Sequence, residues 1–366
     1  MSLHLQDIAH TVGGIPYISD VDLALEPGSF NVLLGRTLAG KTTLMRLMAG
    51  LEPPTKGRIV MDGKDVTGVS VRNRNVSMVY QQFINYPSLT VYDNIASPLK
   101  LAKHPPREID KRVAEIAEML RIGHLLDRYP QELSGGQQQR TAMGRALVKD
   151  ADVILFDEPL VNLDYKLREE LRDELRDLFK VRNCIAVYAT TEPNEALALG
   201  GNTAILHEGK LLQYGPTDQI YREPNGILSA EMFSEPPINI VPGRLTETDI
   251  TFDNATHFAC DDALRRLPPG DYRFGVRASH LSLTPQAPDD LELSVEVDVA
   301  EISGSETFLH VRHPHFPLVL HLSGIYELKV NEPIKVYFPT HKLFVFDQQG
   351  STVHTPVLKT EGVVHG

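Results

Sequence analysis

The stretch Gly35-Arg36-Thr37-Leu38-Ala39-Gly40-Lys41-Thr42-Thr43 fits the spacing G-x-x-x-x-G-K-[ST], which builds a phosphate cradle between a strand and a helix. Its flanks supply that context. Phe30-Asn31-Val32-Leu33-Leu34 is short and apolar like a buried strand, whereas Leu44, Leu47, Met48 and Leu51 recur at helical spacing. Glycines at 35 and 40 let the backbone turn tightly with its N–H groups facing inward, at a helix start that favours a polyanion. Lys41 is expected to reach the β- and γ-phosphates, and Thr42 to ligate Mg²⁺. The stretch reads as a nucleotide site.

Downstream, Asp152-Val153-Ile154-Leu155-Phe156 ends in Asp157-Glu158-Pro159, a buried strand closing on two carboxylates. One carboxylate beside a P-loop magnesium and a second beside the γ-phosphate is what phosphoryl chemistry needs. Between these motifs, Ser77 to Tyr80 forms a short strand ending on Gln81. Ile109, Val113, Ile116 and Leu120 fall at helical spacing, so a small helical unit is inserted here. It runs into Leu133-Ser134-Gly135-Gly136-Gln137, where serine can cap a helix whose free N–H groups can bind an anion. The stretch from Leu3 to Leu25 reads as short strands with a turn at Gly13-Gly14, and Thr203 to Gly215 as a hairpin around Glu208-Gly209.

At 366 residues the chain has room for two domains. The domain boundary is expected near residue 236, in a segment with Pro216, Pro224, Pro236, Pro237 and Pro242. Beyond it, alternating runs at Tyr272–Arg277, Leu293–Val299, Thr307–Val311, Leu318–Leu322 and Ile334–Phe338 indicate a small all-β domain of barrel type. His310, His313 and His315 read as a solvated strand face, His207 as a hairpin side chain, and the tail after Phe346 as loose. Acidic residues outnumber basic ones, 48 to 36, which argues against nucleic-acid binding. The two cysteines, Cys184 and Cys260, read as small buried hydrophobes in a reducing compartment. No apolar run reaches membrane-span length and no leader pattern opens the chain, so a cytoplasmic protein is expected, with any membrane role exerted through partners.

With Leu133-Ser134-Gly135-Gly136-Gln137 lying between the P-loop and Phe156-Asp157-Glu158-Pro159, the sequence resembles the ATP-binding subunits of ABC transporters. Together with the β-rich extension and Phe274-Gly275-Val276-Arg277, it resembles the carbohydrate-importer group typified by the maltose and glycerol-3-phosphate systems. The resemblance covers essentially the whole chain. It implies an α/β P-loop NTPase domain over residues 1–235, with the helical subdomain at about 88–150, and an OB-like β-barrel regulatory domain over 236–366. It implies ATP and Mg²⁺ as ligands, with Gly35 to Thr43 as Walker A, Asp157 as the Walker B aspartate and Glu158 as general base. Gln81 resembles the Q-loop glutamine, which touches magnesium and water. The Phe83-Ile84-Asn85-Tyr86-Pro87 stretch would help form the groove for a permease coupling helix. Asn162-Leu163-Asp164 resembles the D-loop, and Ser134, Gly135, Gly136 and Gln137 the signature motif that contacts ATP held by the opposite subunit. The implied partners are a second ATPase subunit, two transmembrane permease subunits and an external solute-binding protein, with the chain at the cytoplasmic face of the membrane.

Three positions depart from the family pattern. Thr191 stands where the family has its switch histidine; it can donate one hydrogen bond but carries no imidazole. Val12 stands where an adenine-stacking aromatic is expected, and Tyr17 is near enough to substitute. Leu38 replaces a P-loop glycine. All three lie on the ATP-holding face while the signature motif is intact, which suits a mixed dimer whose other subunit is a different chain. The Thr191 segment also resembles one of the two ATPase subunits of bacterial glycerol importers.

Overall fold

The computed structural model describes all residues except 162, 253–256, 261, 289 and 357–366. By internal packing the chain divides into Met1–Thr217 and Asp218–Gly366. This division falls ahead of the Pro236-Pro237 pair, where the sequence suggests a boundary. The helix Ile227–Met232 packs with the second unit, where the Ile227 N–H donates to the Gly350 carbonyl and Arg277 donates to the Phe233 carbonyl.

In the first unit, Phe30–Leu34 sits in a six-stranded sheet, parallel to Asn202–His207 on one side and Ile185–Thr190 on the other. Val153–Asp157 and Val76–Val79 continue the parallel set, and Lys210–Pro216 closes the far edge antiparallel. Near-continuous apolar sequence is what a sheet covered on both faces demands. Val153–Asp157 and Ile185–Thr190 are buried at every position. A second, four-stranded sheet begins with the hairpin Leu3–Val12 and Ile15–Leu25 and adds Lys56–Met61 and Lys64–Asp65. Leu3, Leu5, Ile8, Val21 and Leu23 share a core with Leu44, Met45 and Met48 of the P-loop helix Lys41–Ala49.

The inserted helices are Val91–Leu101, Pro106–Met119 and Gly135–Leu147. Thr90 caps the first by accepting from the Asp93 N–H at 3.1 Å, and Pro106 opens the second where its missing N–H costs nothing. Ile95, Val113, Ile116 and Met143 are buried.

The second unit holds two antiparallel sheets of six and four strands. Both contribute to one core, with Val241, Phe274 and Val345 from the first and Leu293, Leu309, Leu320 and Val336 from the other. Three findings differ from the sequence reading. The segment around Pro242 is a strand, Asn239–Leu245, paired along its whole length with Gly270–Val276. On its other side only Arg244 and Leu245 are paired, so Pro242 lies beyond the end of that neighbour, where a missing N–H is tolerated. The described part of the tail after Phe346, up to residue 356, is not loose, because Thr352–His354 pairs with Phe344–Phe346; the rest lies outside the described residues. His313 is not on a solvated face: it is buried, with its ring stacked 4.4 Å from that of Phe316.

Candidate active site: a P-loop facing two carboxylates

Parallel register assembles the site. Leu34 lies opposite Thr190, Asp157 opposite Ala189, and Val79 opposite Phe156, so the P-loop, both carboxylates, Gln81 and the Thr190-Thr191 turn leave the sheet along one edge. Ligands of open α/β sheets bind at this carboxyl end of the strands.

The P-loop leaves little room at its base. A Cβ on Gly35 would stand 2.5 Å from the Leu206 carbonyl oxygen, and the Gly35 N–H donates to the Thr190 carbonyl at 3.3 Å. Leu38, at φ 68°, is left-handed and 93% exposed. Such a conformation costs a non-glycine residue about 1–2 kcal/mol, and strain of this kind concentrates at functional sites. Ala39 is buried, whereas Arg36 and Thr37 are exposed. Gly40 caps the P-loop helix, and a Cβ there would come within 3.2 Å of the Tyr17 carbonyl oxygen. The backbone of Tyr17 is therefore against the P-loop while its ring is 45% exposed, and Val12 is exposed on the neighbouring strand.

Lys41 is 5% exposed. Its Nζ donates to the Gly35 carbonyl at 2.7 Å and to the Arg36 carbonyl at 3.3 Å, and lies 3.3 Å from Glu158 Oε1. Burial pulls its pKa down, and the Glu158 carboxylate opposes that shift. The Thr42 hydroxyl donates to Asp157 Oδ1 at 3.0 Å. Asp157 is 3% exposed, and burial pushes its pKa up against the Thr42 hydrogen bond. Glu158 is held at φ 48°, its N–H donating to the Ala189 carbonyl, and Gln81 Nε2 donates to Glu158 Oε2 at 3.1 Å. Thr43 follows on the P-loop helix.

These donors fit Mg²⁺ carried with a polyphosphate. Thr42 and Asp157 offer hard oxygen ligands, and a carboxylate whose charged form is disfavoured by burial would be stabilised by a cation beside it. Among the described residues no group of three or more His, Cys, Asp or Glu forms a metal cage, in keeping with a Mg²⁺ that takes phosphate and water as its other ligands. The P-loop N–H groups and Lys41 can hold the phosphates, and Glu158 is placed to take a proton from an attacking water.

Two further predicted groups sit on their own helix starts. Ser134 caps Gly135–Leu147 in a reciprocal box: its Oγ accepts from the Gln137 N–H at 3.4 Å, and its N–H donates to Gln137 Oε1 at 2.9 Å. The first N–H groups, at Gly135 and Gly136, have no intrahelical partner, and Ser134 and Gly135 are exposed. Asp164 caps Tyr165–Val181 by accepting from the Leu167 N–H at 3.0 Å. Asn162 lies outside the described residues.

Thr191 is exposed, one residue past the strand end. Beneath it is a buried cluster that the sequence reading misses: Thr190 Oγ1 donates to Glu195 Oε2 at 2.6 Å, and the Tyr188 hydroxyl donates to the same oxygen at 3.3 Å. Burial raises the Glu195 pKa and pushes that of Tyr188 well up. Nothing in the sequence marks this cluster: only the packing places Glu195 on the inward face of Pro193–Leu199, beside buried Ala196 and Leu199.

Residues 18–161 match the family model described as ABC transporter. The chain is 36% identical to the xylose/arabinose import ATP-binding protein of Haloferax volcanii, covering 96% of this chain and 95% of that protein. It is 35% identical to the trehalose/maltose import ATP-binding protein of Thermococcus litoralis, with 94% and 97% covered. It is 37% identical to the sn-glycerol-3-phosphate import ATP-binding protein of Bordetella avium, with 84% of each covered. Among solved structures, a dimeric ATP-binding cassette in a post-hydrolysis state with ADP and Pi is 28% identical and superposes with a TM-score of 0.54, over 59% of this chain and 98% of that one. A P-loop whose lysine and threonine meet two carboxylates, joined to a serine-capped glycine pair, agrees with these matches, and the chain belongs to the ABC transporter family, among the ATP-binding subunits of its importers.

Proposed function

We propose that this chain powers a binding-protein-dependent importer of a small polyol or sugar, glycerol being favoured, as one half of an asymmetric ATPase dimer. The observation that carries the asymmetry is Thr191, exposed at the switch position beside an otherwise complete set of Lys41, Thr42, Gln81, Asp157 and Glu158. A γ-phosphate contact made by threonine lacks the imidazole's reach and charge. Losing one such donor typically costs about 10²–10³ in rate. The exposed signature residues Ser134 and Gly135 would complete the ATP site of a different partner chain, while this chain's own site turns over slowly. Lys41 would hold charge on the transferring phosphoryl group, Thr42, Asp157 and Gln81 would hold Mg²⁺, and Glu158 would accept the proton from water. Tyr17 would receive the adenine in place of the aromatic that Val12 does not supply.

The permease contact is assigned to a groove of about 440 Å³ lined by Met78, Tyr86, Pro98, Leu101, Arg145 and Lys149. Tyr86 and Leu101 are 49% and 86% exposed, and Arg145 lies over the Tyr86 ring at 4.8 Å. Exposed apolar side chains beside half-buried cations suit an amphipathic helix end. No helix among the described residues is long and apolar enough to cross a membrane, so attachment at its cytoplasmic face would run through the permease pair. Glycerol is favoured because the Thr191 segment resembles an ATPase subunit of glycerol importers; the relatives named for sugars and glycerol-3-phosphate support the broader class.

The deciding experiment is ATP hydrolysis by the purified chain, alone and mixed with any second ATPase subunit encoded beside it, comparing native Thr191 with Thr191→His. The asymmetric reading expects near-inactivity alone, activity on mixing, and a gain with histidine. Brisk hydrolysis alone, unchanged by histidine, would leave an ordinary homodimeric sugar or glycerol-3-phosphate importer ATPase. A non-hydrolysing regulatory subunit is the remaining reading. It predicts that the chain alone stays inactive with Mg-ATP even as Thr191→His.

A further inference from the structure

The loop after the two carboxylates exposes apolar side chains. Val161 is 44% and Tyr165 74% exposed, on either side of the helix cap Asp164. One side chain ties this loop to the rest of the site. Arg168 Nη1 donates to Glu192 Oε1 at 2.7 Å, and its Nη2 makes a longer contact, 3.4 Å, to the Val161 carbonyl. Glu192 directly follows Thr191, and its backbone N–H donates to Thr190 Oγ1 at 3.0 Å. Thr190 in turn donates to Glu195, and its carbonyl accepts the Gly35 N–H at the base of the P-loop.

We infer that Arg168 is a positioning residue, linking exposed Val161, just past the two carboxylates, to the P-loop through Glu192 and Thr190. The route passes under residue 191 by way of a backbone N–H and the Thr190 hydroxyl, so it does not need an imidazole there. The ion pair is suited to the task. Arg168 is 22% and Glu192 44% exposed, and the guanidinium fork fixes direction as well as charge.

The test is amide hydrogen exchange on the full chain, read at Gly35, Thr191 and Glu192, for native protein, Arg168→Ala, Glu192→Ala and the charge swap Arg168→Glu with Glu192→Arg. Each single variant is expected to speed Gly35 exchange about tenfold, with the swap within about threefold of native. Glu192→Ala carries the test if Arg168→Ala folds poorly, because Glu192 is partly exposed and makes no capping hydrogen bond on its helix. In the Thr191→His chain, whose own site is the active one, the same single variants should lower kcat about tenfold with KM for Mg-ATP within twofold. Exchange that quickens only at Glu192 and never at Gly35 overturns the link. Quickened Gly35 exchange with unchanged kcat overturns the positioning role. The dimer reading is tested separately, by native protein alone against the mixture.

Discussion

The Lys41 ammonium and the Glu158 carboxylate lie 3.3 Å apart, with Gln81 donating to the other carboxylate oxygen. The residue placed to activate water is thus held by the residue placed to bind phosphate. A γ-phosphate taking up Lys41 would leave Glu158 without that cation, which would couple phosphate binding to the release of Glu158 through one charge. Glu158→Gln keeps the size and a hydrogen-bonding oxygen but removes the base. In the Thr191→His chain, whose own site is the active one, hydrolysis should fall about 10²–10⁴-fold while Mg-ATP affinity is kept within a few-fold. A loss of affinity as large as the loss of rate would show that Glu158 acts mainly on binding.

Much of this site is legible in the sequence because its residue types answer to chemistry. Lys41, Thr42, Asp157 and Glu158 can be named before any fold is known, and the apolar strands leading to them fix the sheet edge. The Thr190–Glu195–Tyr188 cluster is not legible. A glutamate in a short helix reads as solvated, and only the packing of Pro193–Leu199 turns it inward. Pro242-Gly243 hides a strand for a related reason: local turn chemistry is overridden by a neighbour that ends at the right place. His313 shows the limit of alternation just past a strand end, where the chain bends and an expected outward ring packs on Phe316 instead.

Asp157 is a buried carboxylate whose pKa is raised, chiefly by burial. A carboxyl with a raised folded-state pKa destabilises the fold when ionised. The penalty is absent below the ordinary aspartate pKa of about 4 and complete above the folded-state value. Asp157→Asn should therefore stabilise the nucleotide-free chain at pH 7, by about 2–4 °C in Tm for a gain near 1 kcal/mol. The advantage should shrink as pH falls toward 4. The same variant should lose the stabilisation by Mg-ATP, about 2.7 kcal/mol for native protein at a hundredfold excess over Kd. Thermal melts at two pH values, with and without Mg-ATP, check both halves. A destabilised nucleotide-free variant would mean that the Thr42–Asp157 hydrogen bond outweighs the burial cost.

Leu38 combines a left-handed backbone with a side chain that touches almost nothing, at φ 68° and 93% exposure. Leu38→Gly relieves about 1–2 kcal/mol of backbone strain and gives back roughly 0.4–1 kcal/mol through the greater freedom of the unfolded chain. The difference favours glycine, so Tm should rise by up to about 4 °C. A fall in Tm would show that the exposed leucine has a stabilising contact within its own chain. Gly35 is the contrasting case. Gly35→Ala places a methyl 2.5 Å from the Leu206 carbonyl oxygen, a backbone atom with no rotamer to yield. Overpacking of this kind costs about 1–3 kcal/mol, and here the strain falls on the residue whose N–H anchors the loop to Thr190. Mg-ATP affinity should drop at least tenfold alongside the lower Tm. Affinity that survived intact would mean the loop can move off Leu206 without losing its cradle.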